Sequence, residues 1–381
     1  MSDTTDTTDT DVEAVSNLTS NTEAEADLDF DFDFVTIINP EIGLGKKVWT
    51  TLITNKSYLP GLLTLSHSLK TVNSAYPLLV LYTDSFPVEG RAVLDLKCIP
   101  TKRVPYLLPS IPKDFSKDVR FHDCWSKLVP FGLTEFERVV QLDCDMLVVK
   151  NMDELMDLEL DGAEMAGKGS RVFGAAHACV CNPQGKRHYP KDWQVIPSRV
   201  MCGTKRELMG PATASTTAAP ANAGLGIPNG GLLVINPSRA IYNKILCRLF
   251  SSATAGYDFA DQSLLGDLFR NRWVSLPYVY NALKTMRLSG VHAQIWRDED
   301  VKNVHYILSP KPWEGGIDRN EEGWDWDPLS DWWEEANQER ERFEFEDKID
   351  DELLMTVLSK PPDLEDIFSR IHNMTAKAIE P

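Results

Sequence analysis

The sequence predicts an α/β protein built on a mixed, mostly parallel sheet flanked by helices, with acidic flexible ends. Three observations carry that prediction. Short apolar runs bounded by turn residues alternate with segments of helical periodicity, the pattern of βαβ units. One such run passes straight into Asp143-Cys144-Asp145, and open α/β sheets present their ligand-facing groups at the carboxyl ends of strands. The 381 residues are 43% hydrophobic and 25% charged, enough core for one large domain or two modest ones. That composition excludes a chain disordered throughout, a collagen and a disulfide mini-scaffold.

Residues 1–40 hold 11 acidic residues and no Lys or Arg, so they are expected to stay solvated. A short partner-docking strand through Phe30, Phe32 and Phe34 is the other reading of that tail. Ordered sequence is expected from Lys46. Val48–Thr54 reads as a buried strand, Asn55–Pro60 as a turn, and Leu62, Leu63, Leu65, Ser66 and Leu69 as a helical stripe. Leu78–Tyr82 is a second buried strand, followed by a helix through Val93, Leu94 and Leu96 and a short strand around Ile99. Val139–Leu142 is the strand that enters Asp143-Cys144-Asp145. Later come a strand at Leu232–Ile235, a helix from Ser238 to Phe250 and a strand around Val304–Ile307.

Between 162 and 225 the rhythm breaks, and this stretch, with its low-complexity PATASTTAAPANAG, reads as a long insertion loop. Past Trp313 the chain is acidic and Trp-rich, with helices expected in 330–345 and 350–372. The expected organisation is therefore a tail over 1–40, a domain over 46–313 carrying the insertion, and a helical extension over 314–381.

The formal net charge is −18, which argues against a nucleic-acid partner. Its distribution is uneven. Residues 1–40 contribute −11 and 314–352 contribute −13, whereas 41–313 carry +7. A phosphate-bearing small ligand is thus compatible with the middle of the chain. No run of 18 apolar residues suggests a membrane span, and the N-terminus has acids where a signal peptide needs bases. The expected location is cytoplasmic, with the 7 cysteines as reduced thiols.

Two carboxylates two residues apart at a strand end cannot both hide unpaired in a core. Asp143 and Asp145 can share a hard divalent cation that in turn neutralises a diphosphate, although a solvated strand end explains many Asp-x-Asp matches. Asn229-Gly230-Gly231 precedes an apolar strand, where glycines let a ligand approach the backbone closely. Asp258-Phe-Ala-Asp261-Gln262 opens a helical segment. A strand-borne His305 is followed six residues later by Lys311; neutral imidazole suits manganese, and lysine is a point-charge binder of phosphate. Each has a bland alternative: a turn, an N-cap, a satisfied histidine, a surface lysine.

In this order and spacing the set resembles glycosyltransferase family 8, the retaining family that includes glycogenin and galactinol synthase. The resemblance runs from about Trp49 to Trp313 and implies a GT-A-type, Rossmann-like fold that binds a UDP-sugar through Mn2+. Leu52, Thr54, Asn55 and Tyr58 fall in the family's first strand and turn, which hold uracil and ribose; Ile53 stands where glycogenin usually has a Thr. Arg91 and Lys127 match basic donor-binding positions. The metal ligands correspond to Asp143, Asp145 and His305, with Cys144 between the two carboxylates. Asn229, Gly230 and Gly231 match the sugar-contacting turn, while Asp258, Asp261 and Gln262 match residues facing the transferred sugar. Lys311 matches the diphosphate lysine, and Leu308 departs from a pattern in which glycine is usual. Asp261, Gln262 and Lys127 are the implied catalytic residues.

The implied activity is retaining transfer of glucose or galactose from UDP-glucose or UDP-galactose to a hydroxyl acceptor. Leu288 occupies the position where glycogenin carries its self-glucosylated tyrosine, so a separate small acceptor such as a polyol or inositol is expected. Other readings are a self-glucosylating primer using Tyr257 or Tyr278, and a catalytically weak nucleotide-sugar-binding scaffold. A homo-oligomer is left open. A nucleotidyltransferase is disfavoured because Ile42-Gly-Leu-Gly45-Lys-Lys47 precedes the first strand instead of following it. His177, Cys179, Cys181, His188 and Cys202 could supply a zinc site, or be ordinary packed residues, since their spacing matches no standard zinc signature. The aromatics Trp324, Trp326, Trp332 and Trp333 read as packing anchors or as a sugar-stacking platform.

Overall fold

The computed structural model describes residues 45–111, 121–183, 185, 189, 216–223, 226–288, 291–314 and 328–346. The expected tail over 1–40, the helix over 350–372, and His188, Cys202, Trp324 and Trp326 lie outside the described residues.

Strands β1 (Lys47–Ile53), β2 (Leu78–Tyr82), β3 (Thr101–Arg103) and β4 (Arg138–Leu142) are joined through helices α1 (Leu59–Thr71), α2 (Val88–Leu96) and the short α3 (Phe121–Cys124). After β5 (Met146–Val148) come β6 (Phe173–His177), β7 (Pro228–Ile235), α4 (Arg239–Leu249), α5 (Ala260–Leu268), β8 (Val274–Ser275), β9 (Ala282–Leu283) and β10 (Asn303–His305). Helix α6 spans Pro328–Glu346. A seven-stranded sheet runs β3-β2-β1-β4-β7-β6-β8, and a second sheet of three runs β5-β10-β9. In the large sheet β2–β3, β1–β2, β1–β4 and β6–β8 pair parallel, while β7 runs antiparallel to both β4 and β6. The expected mixed, mostly parallel α/β sheet is the one observed.

The period of two along each strand divides the core. Trp49, Val80, Tyr82, Val140, Leu142, Leu232 and Val234 face one way and pack on α1 and α2. Val48, Leu79, Leu81, Val139, Leu233 and Ile235 face the other way, onto α4, α5 and the Trp125–Phe131 segment. Burial on both faces explains why β2 reads as an unbroken apolar run, Leu-Leu-Val-Leu-Tyr. Across β1 and β4, the buried Thr50 hydroxyl donates to Gln141 Oε1 at 2.7 Å. Helix α1 begins with Pro60 in its first turn and ends at Asn73, whose φ of +54° is the left-handed conformation asparagine tolerates at a helix end.

Three expectations shift. The third strand lies at Thr101–Arg103, because Ile99 is used to close the end of α2, its N–H donating to the Leu94 carbonyl at 2.9 Å. Asn229-Gly230-Gly231 lies inside β7 instead of in a turn before it. Part of the stretch read as an insertion, Phe173–His177, is a sheet strand paired between β7 and β8. Its Gly-Ala-Ala centre suits a crowded position, since a Cβ on Gly174 would come within 2.6 Å of the Leu158 side chain.

Helix α6 packs beside α1 and the small sheet. Tyr306 donates to the Leu329 carbonyl at 2.6 Å, and Thr64 donates to Asn337 Oδ1 at 3.0 Å. Glu344 receives Lys97 and Arg340. Trp333 is 5% exposed and its ring lies 5.5 Å from that of Trp313, so it serves as a packing anchor.

Candidate active site

The strand order gathers the site at one edge of the sheet. β1 and β4 run parallel with Thr51 opposite Leu142, so the segments that follow them emerge side by side. β7 arrives antiparallel with Leu232 opposite Leu142, and the Asp143 N–H donates to the Gly231 carbonyl at 2.9 Å. β10 pairs with β5 so that His305 lies opposite Met146, one residue past Asp145.

The Asp143, Asp145 and His305 ligand atoms consequently lie within 4.8 Å of one another. His305 Nε2 is 3.2 Å from Asp145 Oδ1 and 3.5 Å from Asp143 Oδ2. The other ring nitrogen, Nδ1, is 2.8 Å from Asn281 Oδ1, and the Asn281 amide donates to Asn229 Oδ1 at 2.9 Å. With the amide oxygen accepting from Nδ1–H, the Nε2 lone pair is directed at the two carboxylates, the tautomer a metal-binding imidazole needs. Two hard oxygens and one imidazole fit manganese or a similar divalent ion.

Two lysines balance the carboxylates. Lys127 contacts Asp143 at 2.7 Å, and Lys311 contacts Asp145 at 2.5 Å while also donating to the Tyr306 carbonyl at 2.7 Å. Burial alone would push the Asp145 carboxyl up, but Lys311 and His305 outweigh it and hold its pKa well below the usual range. Burial likewise works against the Lys127 ammonium, yet Asp143 leads the neighbouring anions in raising its pKa well above that of an ordinary lysine. Asp261 is the opposite case. Burial pushes its carboxyl up to about 7, Lys127 pulls against that shift, and its Oδ2 is a buried atom without a hydrogen-bond partner among the described residues.

Two glycines make this crowding possible. A Cβ on Gly230 would sit 2.1 Å from Asp261 Oδ2, and one on Gly231 would sit 2.4 Å from His305 Cε1. The Gly230 N–H in turn donates to Gln262 Oε1 at 2.9 Å, which fixes the carboxamide beside Asp261.

A cavity of about 210 Å3 opens onto this cluster. Of the residues anticipated from sequence, Leu52, Thr54, Asn55, Tyr58, Lys127, Asp143, Cys144, Asp145, Asn229, Gly230, Gly231, Asp261, Gln262 and His305 all line it. Lys311 reaches it through Asp145. Arg91 lies on α2 over the Tyr82 ring at 5.4 Å, and Asp258 is exposed before α5; neither forms part of the wall. Leu308 lines the cavity with φ +64°, the left-handed region that favours the glycine usual at that position. Sequence reasoning missed Asp123, which also lines the cavity and accepts hydrogen bonds from Thr54 and Tyr106 at 2.7 Å each. It also missed the role of Asn281 behind His305. No sequence signal singles out Asp123.

Among the described residues, His177 does not join a cysteine cluster. Its Nε2 lies 3.1 Å from the Pro220 carbonyl and 3.2 Å from that of Ala219, and its ring packs edge-on to Trp273 at 4.8 Å.

A sequence profile of glycosyl transferase family 8 matches residues 50–315. Galactinol synthase 1 of Ajuga reptans is 28% identical over 327 residues, covering 81% of this chain and 86% of that protein. Galactinol synthase 2 of Solanum lycopersicum is 30% identical over 278 residues, covering 69% and 71%. The uncharacterized protein R707 of Acanthamoeba polyphaga mimivirus is 24% identical over 267 residues, covering 69% and 81%. Among solved structures, the glycosyltransferase GlyE of Streptococcus pneumoniae TIGR4 superposes with a TM-score of 0.48 at 18% identity, covering 80% of this chain and 64% of that one.

Proposed function

This chain belongs to glycosyl transferase family 8, and from that premise we propose that it is a retaining, manganese-dependent transferase moving a glucosyl or galactosyl group from a UDP-sugar to a small hydroxyl acceptor. The observation that carries the reading is a single cavity holding both the Asp143, Asp145 and His305 cluster and, beside Gly230, the unpartnered Asp261 carboxylate oxygen. Similarity to galactinol synthases along 81% of the chain supports a polyol or inositol as acceptor.

Transfer breaks the bond from the anomeric carbon to the diphosphate oxygen and makes one to the acceptor oxygen, whose proton departs. Asp143, Asp145 and His305 would hold the divalent ion. That ion would supply Lewis-acid stabilisation of the charge growing on UDP. Lys311 and Lys127 add positive charge at the same end of the cavity. Thr54, Asn55 and Tyr58, which line the cavity after β1, would hold the nucleoside. Gly230 and Gly231 leave room for Asp261 and His305, and the Asp261 carboxylate oxygen would face the side where positive charge develops on the sugar ring. Gln262, held by Gly230, positions the sugar hydroxyls.

The tyrosines offered for self-glucosylation support a separate acceptor. Tyr257 is buried with its hydroxyl donating to Asp267, and Tyr278 is 3% exposed with its hydroxyl accepting from the Arg297 N–H at 2.9 Å. Leu288 is 39% exposed but carries no hydroxyl. The test is to incubate the pure chain with labelled UDP-glucose or UDP-galactose, manganese and a panel of polyols. Label in a small product supports the reading, whereas label that stays with the denatured chain overturns the small-acceptor assignment.

A further inference from the structure

Cys179 follows β6 at the cavity wall, and Cys181 lies two residues on. His292 comes from a distant segment, 111 residues beyond Cys181, between β9 and β10. The fold brings the three together: His292 Nε2 is 3.4 Å from the Cys179 sulfur and 3.5 Å from the Cys181 sulfur, and all three ligand atoms lie within 4.8 Å of one another.

We propose that Cys179, Cys181 and His292 form a structural zinc site that cross-links the segment after β6 to the segment before β10. Zinc–thiolate bonds of about 2.3 Å and zinc–imidazole bonds of about 2.0–2.1 Å, set at a tetrahedral angle, place sulfur and nitrogen about 3.5 Å apart. Both observed separations match that edge. A cation at the centre of the triangle satisfies all three. The thiol protons pass to solvent on binding, and two thiolates then balance a divalent charge in a partly buried site.

The backbone on either side holds the ligands in place. The Ala178 N–H donates to the Ile227 carbonyl at 2.9 Å. The His292 N–H donates to the Met286 carbonyl at 3.1 Å, and the His292 carbonyl accepts from Ile295 N–H at 2.9 Å. Cys179 is 8% exposed, within the apolar cluster of Phe259, Leu283, Ile295 and Trp296. Thiolate donors select zinc over manganese, so this cluster and the Asp143, Asp145 and His305 cluster are tuned to different ions. Among the described residues no fourth Cys, His, Asp or Glu joins the group, and a water can complete the tetrahedron.

Elemental analysis of the full-length protein, dialysed free of loosely held metal, tests the site independently of any transferase activity. About one zinc per chain is expected, falling at least about tenfold in Cys179→Ser, Cys181→Ser and His292→Ala and staying unchanged in Asp145→Asn. Wild type reconstituted with cobalt provides a measurement that does not depend on variant folding: a thiolate-to-cobalt charge-transfer band is expected. Zinc below about a tenth per chain after reconstitution, zinc retained in Cys181→Ser, or a cobalt spectrum without the thiolate band would each overturn the proposal.

Discussion

Two three-residue clusters lie beside the same cavity, the second reaching it through Cys179, and offer a metal different donors. Asp143 and Asp145 are hard oxygen donors beside one imidazole, carried on the ends of paired strands, with lysines against both carboxylates. Cys179 and Cys181 are soft sulfur donors beside one imidazole, carried on loops, the cysteines packed among aromatics and aliphatics. The first is built to be rearranged, because charges that pair with each other in the protein can pair equally well with a diphosphate. The second is suited to a permanent ion, because two thiolates and an imidazole hold zinc tightly. Position on the fold thus separates working ligands from fastening ones.

The strongest way to break that distinction is Asp145→Asn. UDP release is expected to fall about 100- to 1,000-fold, comparable with losing a principal electrostatic contact to a developing oxyanion. A residual rate within about fivefold of wild type would make the carboxylate a mere strand-end charge.

Asp261→Asn probes the strain held at the working cluster. The native carboxyl titrates near about 7 in the folded protein because it is buried, against an ordinary 3.8. A folded pKa above the unfolded one means that ionisation opposes folding. The penalty is absent below about pH 4, grows between about 4 and 7, and is full above 7. In chelator-treated protein the Asn variant is therefore expected to be more stable at pH 8, by up to about 4 kcal/mol from a shift of about three units. The gain should vanish near pH 4. Thermal melts across that range read it, and a variant less stable than wild type at pH 8 contradicts the assignment.

Asn281→Ala sharpens the comparison at the level of ligand orientation. It removes the oxygen that fixes the His305 tautomer, so the manganese concentration giving half-maximal UDP release is expected to rise about 10- to 100-fold. The zinc content should not move. An unchanged manganese requirement would mean that His305 is oriented by packing alone.

The smallest expected effect lies at the fastening cluster. A chelator strong enough to remove zinc should lower the melting temperature of wild type by a few degrees, since about 1 kcal/mol corresponds to about 2–4 °C in a domain of this size. The same treatment should leave Cys181→Ser unshifted. Equal shifts in both proteins would place the chelator's target elsewhere.

The contrast also marks what sequence could disclose. Strand β2 is legible because burial on both faces writes a continuous apolar run, β1 and β4 because apolar residues dominate them, and Asp143 and Asp145 because charge follows β4 directly. β6 is not, since Phe-Gly-Ala-Ala-His has too few large side chains to mark a strand; neighbours such as Leu158 supply the bulk from outside. The glycines of β7 looked like a turn because their purpose, clearance for Asp261 and His305, is a tertiary one. Cys179 and Cys181 are visible as candidate ligands, but of the histidines grouped with them His188 lies outside the described residues and His177 lies against the Ala219 and Pro220 carbonyls. His177 is nearer in sequence, whereas His292 is nearer in space.

Helix α6 and Trp313 have a consequence for how the chain is made. Thr64 on α1 meets Asn337 across 273 residues of sequence, and the Trp313 indole reaches the Ser57 carbonyl across 256. At about 5–20 residues per second of synthesis, the first of these partners waits roughly 15 to 55 s for the second. Throughout that interval the flank of α1 that will receive α6 stands open, and in its last part, once Ser275 has been made, every strand of the large sheet is available to form beneath it. The nascent chain therefore passes through a window in which this flank is available to a chaperone, and slowing the ribosome between the codons of Thr64 and Asn337 would prolong it.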